Sequence, residues 1–143
     1  MDAKRIYSIG TSTRSLDEFM ALLRQYEIET VVDVRSFPTS RFDHFKRGSL
    51  ARELREAGFC YVYLGGALGG YRRGGYEKYM ATNDYGEGLS KLAEIGGTSV
   101  TSFVCAERLP WRCHRRWIGQ SLAKEGWEVI HIVDEKRTWI PVN

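Results

Sequence analysis

The chain reads as an α/β protein: a single-domain three-layer sandwich with a mainly parallel sheet of about five strands and helices on both faces. Three observations predict this. Short β-branched or aromatic runs alternate with amphipathic stretches along the whole chain, and such alternation implies parallel strands joined by crossover helices. The run Thr30-Val31-Val32-Asp33-Val34 is too apolar for an exposed edge and belongs at the centre of a sheet covered on both faces. A length of 143 residues closes one core and leaves little for a second, so one domain spanning 1–143 is expected.

The elements follow in order. Lys4 to Ile9 is the first strand, and Gly10-Thr11-Ser12-Thr13-Arg14 is the turn beyond it. Ser15 and Glu18 have the spacing of a capping box, so a helix is predicted from about Leu16 to Tyr26, with Leu16, Phe19, Met20, Leu22 and Leu23 as its apolar stripe. The central strand at 30–34 leads into a long polar loop, Arg35 to Gly48, which carries Pro38, Arg41, His44, Lys46, Arg47 and three phenylalanines. Loops of that length in compact domains tend to be functional. Ser49 can cap a helix over 50–57 that Gly58 ends, and Phe59 to Leu64 is the third strand.

Gly65 to Tyr76 mixes six glycines with Arg72, Arg73, Tyr71 and Tyr76 and is expected to be a mobile loop over the site. A helical turn at 77–80 and a helix from Asn83 or Asp84 to Ile95 come next. Thr98 to Cys105 is the fourth strand. Pro110 opens a helix that runs to Glu125, because proline is preorganised for a first helical position. Trp127 to Val133 is the fifth strand, and the tail 137–142 can add an edge strand.

Composition excludes several classes. A 43% hydrophobic and 27% charged chain is ordinary for a globular protein. No apolar run approaches the ~20 residues that cross a bilayer, and the first residues lack the apolar core of a signal peptide, so a cytoplasmic location and no membrane partner are expected. Three cysteines, an odd number, argue against a secreted disulfide framework. The net charge is only +3, yet arginine outnumbers lysine fifteen to six, and arginine is the residue for forked recognition of phosphate or carboxylate.

In an open α/β sheet, ligands bind beyond the carboxyl ends of the strands. The predicted strands place Gly10 to Thr13, Asp33 with Arg35 and Ser36, Gly65 with Gly66, and Cys105 with Glu107 on that rim. Within the last helix, His114, Ile118 and Leu122 share an inward line, whereas Arg112, Arg116, Gln120 and Lys124 face water. Arg115 lies above Gly119, where another segment can approach closely. A thiol at Cys105, amid arginines and facing a helix amino terminus, would have a lowered pKa, and Glu107 and His114 could move protons. The alternative is that Cys105 is a small buried hydrophobe and His114 only bonds a carbonyl.

Two further readings stay open. A Cys105–Cys113 redox pair is geometrically feasible if the loop folds back. Zinc is disfavoured: Cys113 and His114, adjacent on a helix, diverge by about 100°, and Cys60 lies at the far end of its strand, leaving the ion short of ligands. No metal or cofactor is expected.

Ile9 to Ser15, Val32 to Arg41, Leu68-Gly69-Gly70, and Cys105-Ala106-Glu107 with Pro110 and Cys113-His114-Arg115 resemble the domain-of-unknown-function family four-eight-eight, the YeaO-like proteins. The likeness covers nearly the whole chain. Thr11 stands where that family usually has histidine, and the resemblance implies no particular activity. A weaker likeness joins Asp33-Val34-Arg35 and the strand-cysteine-loop-helix order to rhodaneses and cysteine phosphatases. Those enzymes cradle an anion with cysteine, five residues and arginine, whereas Trp111 and Gly119 stand where that arginine would follow Cys105 and Cys113.

The expectation is a small enzyme for a phosphate-bearing substrate, a nucleotide or nucleic acid. Cys105 is the candidate nucleophile, Glu107 and His114 carry protons, and Arg35, Arg41 and Arg115 hold the anion beside Asp33, Ser12 and Thr13. The alternative is a nucleic-acid-binding module without catalysis, in which Phe37, Phe42, Phe45, Tyr71 and Tyr76 stack on bases.

Overall fold

The computed structural model describes residues 4–36, 43–70 and 72–140. Strands β1 (Arg5–Gly10), β2 (Thr30–Asp33), β3 (Cys60–Tyr63), β4 (Thr101–Cys105) and β5 (Glu128–Ile132) are parallel, and the short β6 (Thr138–Trp139) joins β5 antiparallel at one edge. Their spatial order is β3-β2-β4-β1-β5-β6. The α/β class, the parallel sheet and the added edge strand are therefore as the pattern predicts.

Helices cover both faces. On one, α1 (Leu16–Gln25) and α2 (Arg47–Glu56) bury Phe19, Leu22, Leu23, Leu50 and Leu54 against Ile9, Val31 and Val104. On the other, α3 (Gly65–Leu68), α5 (Asn83–Gly96) and α6 (Arg115–Lys124) pack Leu68, Leu89, Leu92, Ile118 and Leu122 on Ile6, Val32 and Phe103, with Tyr76 of α4 (Tyr76–Tyr79) beside them. Alternate residues of β1 and β4 thus feed opposite cores, which is why those strands are buried on both faces.

The chain leaves β2 toward β3 but leaves β4 toward β5, in opposite directions across the sheet. Their carboxyl ends consequently part, and a crevice opens at this switch point.

Several boundaries differ from the expectation. The capping box of Ser15 and Glu18 forms on α1. Ser49 caps nothing, because α2 starts earlier, after Lys46. Asp43 to Phe45 form a 3-10 turn within the long loop, whose residues 37–42 lie outside the described ones. The glycine-rich stretch supplies α3 and leads into α4 rather than a loop throughout; Tyr71 lies outside the described residues. Pro110 opens only a 3-10 turn, Pro110–Arg112, and α6 begins after His114. Among the described residues no helix is long and apolar enough to cross a membrane.

Candidate functional site

The crevice is a cavity of about 350 Å³ lined by Arg35 and Ser36 beyond β2, Cys105 to Glu107 beyond β4, Gly70 after α3, and Arg112 to His114 before α6. Two of the four rim segments expected to meet line it, Arg35 with Ser36 and Cys105 with Glu107; Gly65 and Gly66 do not, and the glycine-rich stretch reaches the cavity instead through Gly70. The segment after β1 does not line it. Thr11 and Ser12 instead donate their N–H groups to the Cys105 and Ala106 carbonyls at 2.8 Å, splinting the loop from behind, and Thr13 is exposed.

Arg115 organises the site from within. It is wholly buried, and its guanidinium donates from Nε to Cys105 Sγ at 2.9 Å, from Nη1 to Ser8 Oγ at 2.9 Å and from Nη2 to the Glu107 carbonyl at 2.6 Å. A fork with three directions of donation fixes a strand, a loop and a thiol at once, which no lysine could do. Arg35 is spent in the same manner: Nε and Nη2 grip both oxygens of Asp33 at 2.8 and 2.7 Å, and Nη1 donates to the Phe45 carbonyl at 2.6 Å. The Tyr61 hydroxyl donates to Asp33 Oδ2 at 2.6 Å, completing a buried, neutralised cluster. Arg35, Asp33 and Arg115 are therefore framework. The side-chain donors of both arginines are taken within the chain, those of Arg35 by the Asp33 carboxylate and the Phe45 carbonyl and those of Arg115 by a thiol, a hydroxyl and a carbonyl, so holding an anion as expected would require either to give up one of these bonds. Arg41 lies outside the described residues.

The two thiols are unequal. Cys105 is 2% exposed, and burial together with its hydrogen bond to Cys113 pushes its pKa well up, against the pull of Arg115. Cys113 is half-buried. Burial would raise it too, but the hydrogen bond from Cys105, the Arg115 charge and the Arg115 N–H, 3.4 Å from Cys113 Sγ, outweigh that and hold it down at about 7. A thiolate before the first turn of a helix has the backbone donors to stabilise it. The thiol poised for ionisation is Cys113, not Cys105.

His114 completes this pairing. Its Nε2 donates to the Val34 carbonyl at 2.9 Å, so the neutral ring leaves Nδ1 with its lone pair, and Nδ1 stands 3.4 Å from Cys113 Sγ. Burial lowers the His114 pKa and favours that neutral form. The expected divergence of residues 113 and 114 fails because Cys113 is extended, at φ −130° and ψ 153°, and only His114 has turned toward the helix. Gly70 is required at this point: a Cβ there would sit 2.6 Å from Nδ1. Gly10 is required likewise, since a Cβ would lie 1.9 Å from the Glu107 oxygen. The Glu107 carboxylate accepts from the Leu109 N–H at 3.3 Å and is exposed, so it shapes its own loop.

Beneath Arg115 the network continues where the sequence reading singled out nothing. Ser8 Oγ hydrogen-bonds His131 Nδ1, and His131 is fully buried against Gly119. Ser8 Oγ thus accepts from Arg115 while sharing a hydrogen bond with Nδ1, and among the described residues His131 Nε2 is buried without a partner. The approach at Gly119 expected from its missing side chain is made by this ring. Among the described residues no group of three His, Cys, Asp or Glu side chains gathers as metal ligands would.

The family model described as "Domain of unknown function DUF488" matches residues 15–122. The chain belongs to this family. No curated protein and no solved structure matches it. The DUF488 match contains both thiols, His114, Arg115 and the Asp33–Arg35 cluster, whereas Ser8, Gly10 and His131 lie on strands outside it.

Proposed function

We propose that this DUF488 protein is a thiol-dependent enzyme in which Cys113 is the nucleophile and His114 its proton acceptor. The observation that carries the reading is the contact between Cys113 Sγ and a histidine nitrogen whose ring is locked by the Val34 carbonyl. Nucleophile, base and orienting group then stand in sequence, as covalent catalysis requires. Cys105 and Arg115 serve behind this pair by holding its charge. The substrate is a small, anionic, phosphate-bearing molecule whose charge rests on exposed Arg112 at the cavity wall. A cavity of about 350 Å³ admits one end of such a molecule and no duplex.

The test is alkylation by iodoacetamide across pH with peptide mapping. We expect Cys113 to label with a midpoint near pH 7, against about 8.5 for a free thiol. The Cys113→Ser variant should lose this labelling while Cys105→Ser keeps a reactive Cys113. A Cys113 that ionises like a free thiol would refute the assignment.

A nucleic-acid-binding module is the second reading. Arg72 stacks on Tyr79 at 3.8 Å and Arg47 on Tyr63 at 3.9 Å, which are the kinds of plates on which bases stack. Of its expected aromatics, however, Phe45 and Tyr76 are core residues, and Phe37, Phe42 and Tyr71 lie outside the described ones. Affinity for single strands that falls with salt, with a slope of about −0.7 per phosphate contacted, would favour it. Binding that is weak and indifferent to salt would remove it.

A further inference from the structure

We infer that Cys113 and Cys105 form a hydroperoxide-reducing pair, in which Cys113 takes the oxygen and Cys105 resolves the product as an intramolecular disulfide. The inference rests on Cys113 being the reactive thiol proposed above; it gives that thiol a second reaction, with a small hydroperoxide that needs no phosphate and no contact to Arg112, and gives the second cysteine a role.

Four observations carry it. Both cysteines border one cavity and each shifts the other's ionisation, yet Cys113 is half-open whereas Cys105 is sealed at 2% exposure. Only one of the two can therefore meet a reagent from solvent. Arg115 binds both, donating from Nε to Cys105 and from its backbone N–H to Cys113, so it can hold whichever sulfur carries the charge. Cys113 occupies the extended junction between the 3-10 turn and α6, so it can swing toward Cys105 with loss of the N–H bond from Arg115 and no unwinding of the helix. Cys60, exposed at the amino end of β3, lies at the opposite margin of a parallel sheet and cannot compete within the chain.

The chemistry balances in two steps. The Cys113 thiolate attacks the outer oxygen of a small hydroperoxide, the O–O bond breaks, and the leaving alkoxide or hydroxide takes a proton, giving sulfenic acid at Cys113 and an alcohol or water. Cys105 then gives up its proton as its sulfur attacks that of Cys113. The S–S bond forms, the S–O bond breaks, and hydroxide leaves with the proton as water. Arg115 Nε holds the negative charge on Cys105 during the attack. A dithiol reductant returns both cysteines to thiols by exchange.

The experiment treats the full chain at pH 7 with one equivalent of hydrogen peroxide, without reductant, and reads intact mass and peptide maps. Wild type should lose two hydrogens and yield a peptide joining Cys105 to Cys113, leaving Cys60 free. Cys105→Ser should instead gain oxygen at Cys113, trapped by dimedone, and with dithiothreitol present should consume peroxide at least about tenfold more slowly over many turnovers, because sulfenic acid without a resolving thiol oxidises further. Cys113→Ser should show neither product. If Cys105→Ser does not fold, the wild-type peptide map decides alone. A wild type that reaches sulfinic acid as fast as Cys105→Ser, or that joins through Cys60, overturns the inference. Cys113 that alkylates with a midpoint near pH 7 but forms no disulfide sinks only this inference, whereas a Cys113 that ionises like a free thiol sinks the proposed function as well.

Discussion

Arg115 shows what one side chain can settle. It is the largest wholly buried side chain among the described residues, and its donors meet a thiol, a hydroxyl and a carbonyl in the interior. Replacing it with methionine roughly keeps the volume but removes those donors, so we expect a loss of about 1–3 kcal/mol in denaturant unfolding. The same variant should move the Cys113 labelling midpoint from near 7 upward toward about 8.5. Arg115→Lys keeps a charge near the thiols without the fork, and should fall between the two in both measurements. This role was hidden in the sequence. Cys113-His114-Arg115 stood in plain view, but a helix begun at Pro110 turned the three side chains apart. The surplus of arginine suggested anion binding, whereas two of those arginines are consumed inside the fold.

Elements place the site through their ends. α1 was legible because Ser15 and Glu18 need only each other's backbone to make a cap, and no distant residue is consulted. The start of α6 was not, because a proline at a first helical position serves a 3-10 turn equally well. What ends that turn is Cys113, whose thiol accepts from the backbone of the next element. The glycine-rich stretch was misread for a related reason. Its glycines mark close approaches as well as freedom: at Gly70 the backbone lies against the His114 ring. We expect Gly70→Ala to destabilise by about 1–3 kcal/mol through overpacking and to displace the imidazole. The check is twofold: the melting temperature should fall, and the Cys113 labelling midpoint should shift.

At the scale of the whole chain, both halves of the sheet are tied to one buried polar line, from Cys113 through Cys105, Arg115 and Ser8 to His131. Burial foremost, with the Arg115 charge, drops the His131 pKa from 6.5 to about 3. Above pH 6.5 the ring is neutral in both the folded and unfolded states, and its contribution is constant. Below that the unfolded chain binds a proton that the folded one refuses, so stability falls as pH drops from 6.5 toward 3, by at most about 1.4 kcal/mol per pH unit. Denaturant midpoints between pH 7 and 5, above the range where carboxylates titrate, should show this slope. His131→Leu should reduce it to the part contributed by His114, whose pKa burial also lowers.

Class, strand count, the parallel sheet and the rim where polar residues collect all followed from local pattern. Periodicity and caps are satisfied within a few residues, and a sheet's carboxyl ends are fixed once its strands are parallel. Which thiol ionises, which arginines are spent and which histidine nitrogen is free depended on tertiary structure. Those properties are differences in burial and in hydrogen-bond partners, and the partners of residues 113 to 115 come from residues 8, 34, 105 and 107, which only folding brings within reach.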